Sequence, residues 1–370
     1  MTSFSSLKVK KFREEDLYLF LIAIYSILFL DKPRHAVVNE AVEQMKTQNP
    51  KLVAMTNGIL RNILREEDLE ERIYGKMDLL PALEKKYGYP VETIKLFLQE
   101  LGPEKTDELL ASSKEAPRLD FLILGDEAKA LDMLEKEGHE FVPLPLERAY
   151  QMIKTAKSLD QIEAYKQGQV YFQSFASQKV AFLIPQGKNL LDLCGSPGGK
   201  SFALLAKDPQ REITICDVSE DKIDRINENI HRLNLSLDVQ KWDALIENPQ
   251  WFESFSSVLL DAPCSGTGVL HRQRGESKVK DLSDIIELIH QQRQMLDQAA
   301  KYVEEGGFLI YSTCSILKSE NENQVDYFLK AHEEFKLVDL GPSLEESFYK
   351  TFPGKGEDGF FACLMEKKKV

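Results

Sequence analysis

The chain has 370 residues, 43% of them hydrophobic, enough for two or three globular domains with substantial cores. Its 60 acidic against 47 basic side chains leave a net charge of -13, which excludes a protein that coats nucleic acid non-specifically and confines any phosphate-binding surface to local clusters of lysine and arginine. Five cysteines without a CxxC pair argue against a secreted disulfide scaffold and against a zinc site, so no metal is expected and the thiols point to a reducing cytoplasm.

In chain order, the pattern is helical from Phe12 to about Tyr74, with apolar residues at three- and four-residue spacing and Pro33 and Pro50 as breaks. Leu17 to Leu30 is the one run that resembles a membrane element. It is short, interrupted by Tyr18, Tyr25 and Ser26, and bracketed by Glu14, Glu15, Asp16 and Asp31, so a core helix is predicted, and no A-x-A-like signal cleavage site follows it. Residues 1–75 therefore read as a helical domain. Residues 76–160 read as a small α+β connector, with helices at Val91–Leu101 and Glu127–Glu137 around a strand at Asp120–Leu124.

Residues 161–370 alternate strand, loop and helix, the pattern of a parallel sheet with crossover helices. Strands are predicted at Asn189–Leu193, Glu212–Cys216, Leu237–Gln240, Ser257–Leu260 and Phe308–Tyr311, and helices at Lys200–Ala206, Glu220–Leu233 and Ser283–Glu304. Ligands of such sheets sit at the carboxyl ends of the strands.

After the first of these strands comes DLCGSPGGKS (192–201), whose Gly195, Gly198 and Gly199 allow a tight turn with backbone N–H groups close to a ligand. It fits neither GxxxxGK[ST] nor GxGxxG. The second strand ends in Asp217, placed for a ribose hydroxyl, and Asp243 after the third is placed for an adenine. Each acid alone is more often a cap, but three consecutive strand ends together favour an adenosine-containing cofactor. DAPC and YSTCS then place Cys264 and Cys314 behind adjacent strands, in one cleft. Ser319 and Glu322 are spaced as a capping box for the next helix.

A thiolate adding to carbon 6 of a cytosine makes carbon 5 nucleophilic, an acid at nitrogen 3 stabilises the charge shift, and a base finally removes the carbon 5 proton. Residues 271–280, HRQRGESKVK, offer Arg272 and Arg274 beside this cleft as RNA-binding cations, and the N-terminal Lys8, Lys10, Lys11 and Arg13 form a second basic group.

The stretches LLDLCGSPGGKS, LLDAPCSGTGVL, GGFLIYSTCSILKSENENQV and FPGKGEDGFF, in that order, resemble the successive motifs of RNA (cytosine-5) methyltransferases of the Sun/RsmB type. HAVVNEAVEQMK and KLVAMTNGILRNILR resemble the NusB-like helical domain such enzymes carry. The resemblance implies an α/β fold: a Rossmann-like S-adenosylmethionine-dependent domain preceded by an all-α NusB-like domain, here shortened, and the small α+β connector.

It also implies a cofactor loop of Cys194, Gly195, Ser196, Pro197, Gly198, Gly199 and Lys200, with Asp217 on the ribose and Asp243 on the adenine. Asp261 would stand near both the methionine moiety and the target base, Cys314 would attack, and Cys264 would assist release. The implied substrate is a cytosine of 16S ribosomal RNA, and a cytoplasmic monomer without a membrane or metal partner is expected. Two alternatives stay open: a non-catalytic RNA-binding or ribosome-assembly factor that keeps the fold, and a methyltransferase acting on transfer RNA. Departures from the family pattern fall at His271, Arg272 and Gln273, at Leu119–Leu124, and in a glycine loop reading CGSPGGK where alanines are usual.

Overall fold

The computed structural model describes residues 12–273, 282–341 and 347–369. The chain forms two compact units, 1–88 and 89–370. In the first, the described helices are α1 Glu14–Phe29, α2 Arg34–Gln48, α3 Val53–Arg65, α4 Leu69–Tyr74 and α5 Leu79–Tyr87. Phe20 and Ile27 of α1, Val38 and Met45 of α2, and Ile59, Leu60 and Ile63 of α3 form one core. The core helix predicted at Leu17–Leu30 is buried on one face only, with Ile22 and Phe29 each 67% exposed. Asp16 ties its start to the end of α2, accepting from Arg13, Gln48 and Asn49. The Arg13 hydrogen bond leads in drawing its carboxyl down to about 2. No helix among the described residues is long and apolar enough to cross a membrane.

The second unit opens with α6 Val91–Ser112, which the sequence reading ended at Leu101. The helix breaks there in geometry but not in course: Gly102 takes φ 79°, Pro103 follows, and a second helical half resumes. Strands β1 Leu119–Ile123, β2 Glu140–Pro143 and β3 Ala149–Lys154 then enclose α7 Glu127–Lys136, and the short α8 Glu163–Lys166 precedes β4 Val170–Phe172. These four strands form an antiparallel sheet in the order β2-β3-β1-β4. Its last strand is thus drawn from beyond residue 160, a pairing that a three-residue strand does not announce in sequence.

After α9 Phe175–Leu183 comes the main sheet: β5 Asn189–Asp192, α10 Gly199–Lys207, β6 Glu212–Asp217, α11 Glu220–Leu233, β7 Asp238–Lys241, β8 Phe255–Asp261, α12 Leu282–Tyr302, β9 Val303–Thr313, α13 Glu322–Ala331, β10 Phe335–Leu337, β11 Tyr349–Thr351 and β12 Phe360–Lys367. The order is β10-β12-β9-β8-β5-β6-β7, with β11 against β12. Strands β5 to β9 run parallel and β12 pairs antiparallel to β9.

All five predicted parallel strands and their helices are present. Their apolar runs are covered on both faces, by two separate cores around Val258, Leu260 and Tyr311 and around Leu190, Ile215 and Leu259. Each fully buried leucine, isoleucine or valine there contributes about 1.5–3 kcal/mol. Chain order reverses between β8 and β5, which opens a crevice at their carboxyl ends.

Candidate active site at the strand ends

The loop after β5 is held by its neighbours. Gly195 N–H donates to Cys216 O at 2.8 Å and Ser196 N–H donates to Asp217 Oδ2 at 3.1 Å. A Cβ on Gly195 would lie 2.4 Å from Ile215 Cγ2 and 2.9 Å from the Asp192 carboxyl, and Gly198, at φ 101°, would drive one into the Phe202 ring. Only glycine lets the turn close this tightly before α10 begins.

The cavity in front of this loop, about 160 Å3, is lined by Gly195, Ser196, Pro197, Gly199 and Lys200, with Asp192, Asp261 and, from the β4–α9 segment, Tyr171, Gln173 and Ser177. Asp192 is wholly buried. Ser201 Oγ donates to its Oδ2 at 2.7 Å, while Oδ1 has no hydrogen-bond partner, and burial raises its carboxyl to about 7. Gln173 Oε1 is likewise a buried acceptor without a partner. Two unanswered acceptors beside a glycine cradle fit a cationic ligand that carries N–H donors, as the methionine end of S-adenosylmethionine does.

The predicted cofactor residues Asp217, Asp243 and Cys194 are not among those that line this cavity. Asp217 is buried and already braces the loop: besides Ser196 N–H, it accepts from Val218 N–H and Lys222 Nζ, each at 2.8 Å. Asp243 accepts from Leu245 N–H at 3.0 Å just after β7. The Cys194 side chain packs against the apolar core, and burial raises its thiol well above the usual range.

At the end of β8, Asp261 Oδ2 accepts from Lys200 Nζ at 2.5 Å and Oδ1 accepts from Ser312 Oγ at 2.7 Å. The sequence placed Lys200 only in the cofactor loop; its pairing with Asp261 across 61 residues had no sequence signal. The structure brings the two cysteines together as predicted, with Cys264 Sγ 3.3 Å from Cys314 Sγ. All five cysteines are thiols. The hydrogen bond with Cys314, then burial, raise the Cys264 thiol well above its usual range, and the charge of Glu320 adds to the rise. Cys264 thus holds its proton more tightly than an ordinary cysteine.

Glu320 was missed in the sequence. Fully buried, it accepts from Ser265 N–H at 2.8 Å, Ser265 Oγ at 2.5 Å and Gln292 Nε2 at 3.0 Å, so that it clamps the Cys264 loop to the segment following Cys314. Thr267 and Ser315 hydroxyls, 3.0 Å apart, add a second link. The capping box expected from Ser319 and Glu322 does not form. Asn321 stands at the N-cap of α13, and Ser319 Oγ donates instead to Glu100 Oε1 of α6 at 2.6 Å, because the chain turns tightly through Lys318–Glu320.

Arg272 directs its Nε to Asp358 Oδ1 at 2.6 Å and keeps about a third of its side chain exposed, 34%. Burial would raise the Asp358 carboxyl, but His271 and Arg272 hold it below its usual value. Arg274 lies outside the described residues. Among the described residues no group of three or more His, Cys, Asp or Glu side chains could hold a metal ion.

Comparison with known proteins identifies the family. The profile of the 16S rRNA methyltransferase RsmB/F family matches residues 180–366, and that of the NusB family matches residues 1–65. Ribosomal RNA small subunit methyltransferase B of Vibrio cholerae is 31% identical over 95% of the chain and 81% of its own length; that of Salmonella arizonae is 30% identical over 95% and 82%. In fold, the chain is similar to the crystal structure of NSun6 from Pyrococcus horikoshii with SFG, at a TM-score of 0.67 and 19% identity, covering 77% of this chain and 100% of the other. The chain thus belongs to the RsmB/F family of 16S rRNA methyltransferases, and it is an RNA methyltransferase that uses S-adenosylmethionine.

Proposed function

We propose that the protein methylates carbon 5 of a cytosine in 16S ribosomal RNA through a covalent bond between Cys314 and carbon 6, with the target base unpaired or flipped out so that the thiol can reach it. The observation that carries this reading is the pair of thiols 3.3 Å apart, one of which, Cys264, is held protonated beside the acid at the end of β8. S-adenosylmethionine, when bound, supplies the methyl group that carbon 5 takes up and leaves as the thioether. Asp192 and Gln173 would hold its methionine end, the 194–200 loop would pass its backbone along it, and Asp217 and Asp243 would take ribose and adenine.

The residues of the chain then divide the work. Cys314 adds as thiolate to carbon 6, and the electron pair displaced from the ring is met at nitrogen 3 by the proton that Lys200 shares with Asp261 across 2.5 Å. After methylation the carbon 5 proton leaves to a base, its electron pair restores the ring double bond, the carbon–sulfur bond breaks with its pair returning to Cys314 as thiolate, and the nitrogen 3 proton goes back to the Lys200–Asp261 pair. Cys264 assists only at this stage. The leading cause of its raised pKa, the hydrogen bond with Cys314, vanishes once Cys314 is bonded to carbon, so Cys264 ionises more readily after attack than before it. Arg272 would add a phosphate contact through its exposed portion.

Labelled methyl transfer to unmodified 16S and transfer RNA, followed by bisulfite mapping in a deletion strain, tests the substrate. The expected result is one 16S cytosine that loses its methyl group in the deletion strain; label in transfer RNA alone would refute the assignment.

A second expectation comes from Asp192. An ordinary aspartate loses its proton near 3.8, whereas this one keeps it to about 7, so its ionisation destabilises the folded protein increasingly from about pH 4 to 7. A cation bound beside it needs the ionised form. Affinity for S-adenosylmethionine should therefore rise by up to about tenfold per pH unit below 7 and level off above it. Asp192→Asn should flatten that profile in calorimetric titrations; an unchanged profile would remove Asp192 from the cofactor site.

A further inference from the structure

A second cavity of about 600 Å3 has Ser315 and Ile316, the residues directly after Cys314, in its wall. In a chain of net charge -13 its lining is unusual. Lys105, from the second half of the kinked α6, and Lys318, from the turn after Cys314, are both exposed, while Lys350 of β11 pairs with Glu322 at 2.8 Å. Phe348, Phe352 and Phe360 supply apolar surface, and Phe352 is the half-buried one of the three. Asn321, the lining amide, is already spent inside the protein: it donates to Ser315 O and accepts from Thr313 Oγ1. The cavity therefore offers cations and ring faces but no side-chain amide for reading a base edge.

Ammonium groups for phosphate beside an aromatic face for stacking are what a sequence-tolerant subsite for single-stranded RNA requires. We infer that this cavity binds the nucleotide adjoining the target cytosine, with its phosphate on Lys105 and Lys318 and its base on Phe352. The inference rests on the reading that Cys314 attacks the target, since the position of Cys314 sets which nucleotide reaches the cavity. Lys105 stands at the start of the helical half that resumes after the break at Gly102 and Pro103.

Binding of the full-length protein to a fluorescent single-stranded RNA containing the target cytosine, measured over a series of salt concentrations, tests this directly. Lys105→Ala combined with Lys318→Ala should reduce the slope of log affinity against log salt by about two and weaken binding at least tenfold at low salt. Phe352→Leu should weaken binding about tenfold while Phe352→Tyr retains it, because both keep the apolar volume and only the second keeps the ring. Affinity for S-adenosylmethionine should be unchanged in all three, which shows that they fold. An unchanged salt slope in the double variant, or equal affinities for the leucine and tyrosine variants, would overturn the subsite. Failure of the catalytic reading shows separately, as methyl transfer that survives Cys314→Ala.

Discussion

Cys314→Ala is expected to lower methyl transfer by at least about three orders of magnitude while leaving S-adenosylmethionine affinity intact, because it removes the group that makes carbon 5 reactive and touches nothing in the cofactor cavity. Cys264→Ala is expected to fail differently. Its first turnover should proceed, since the attacking thiol and the Asp261–Lys200 pair remain, but the product should stay attached. The asymmetry comes from geometry rather than from the residue type. Both are cysteines at adjacent strand ends, yet the Cys264 thiol is raised by its hydrogen bond with Cys314, by burial and by the charge of Glu320, which keeps it from competing for the ring. Single-turnover assays with labelled cofactor distinguish the two outcomes: no labelled RNA for the first variant, and a stoichiometric burst without turnover for the second.

Glu320→Ala should be the most destabilising single change near the site. It deletes a carboxylate with no exposed surface and leaves Ser265 N–H, Ser265 Oγ and Gln292 Nε2 short of an acceptor. Hydrogen bonds to a buried charge contribute about 1.5–3 kcal/mol each and are not additive, which places the loss at roughly 3–5 kcal/mol and the fall in Tm on the order of 10 °C. Glu320→Gln keeps one acceptor and should cost only about 1–2 kcal/mol.

A purely structural role would end there. As a positioning residue whose charge also raises the Cys264 thiol, Glu320 makes a further mark: in Glu320→Gln, alkylation of Cys264 should have its midpoint at lower pH than in the parent protein. An unmoved midpoint would reduce Glu320 to a clamp.

How much of this was legible in the sequence depended on the range of the interaction involved. The β5–β9 strands and their helices were readable because apolar runs and 3.6-residue periodicity are local, and the glycine loop, Asp261 and the two cysteines were readable because each directly follows such a run. Strands β2, β3, β4, β10, β11 and β12 were not identified. Most are short, and their pairing, as of β4 with β1 or β12 with β9, joins segments far apart in the chain.

The same limit explains the site residues that were missed. Nothing around Lys200 signals an ion pair with Asp261, and nothing in SENEN says that Glu320 rather than Glu322 is the buried one. The Ser319 capping pattern was a local signal overruled by a tertiary one, the carboxylate of Glu100 on α6. Gly102–Pro103 read as the end of a helix, and only packing carries the chain on into the segment that bears Lys105.

The attack by Cys314 is tested most directly by trapping. Cys264→Ala protein incubated with S-adenosylmethionine and unmodified 16S RNA, then denatured and digested with protease and nuclease, should yield a peptide bearing a methylated cytosine nucleotide on Cys314, identified by mass spectrometry. A cytosine adduct on any other cysteine, or methylated RNA formed at full rate with no adduct on any residue, would contradict the mechanism.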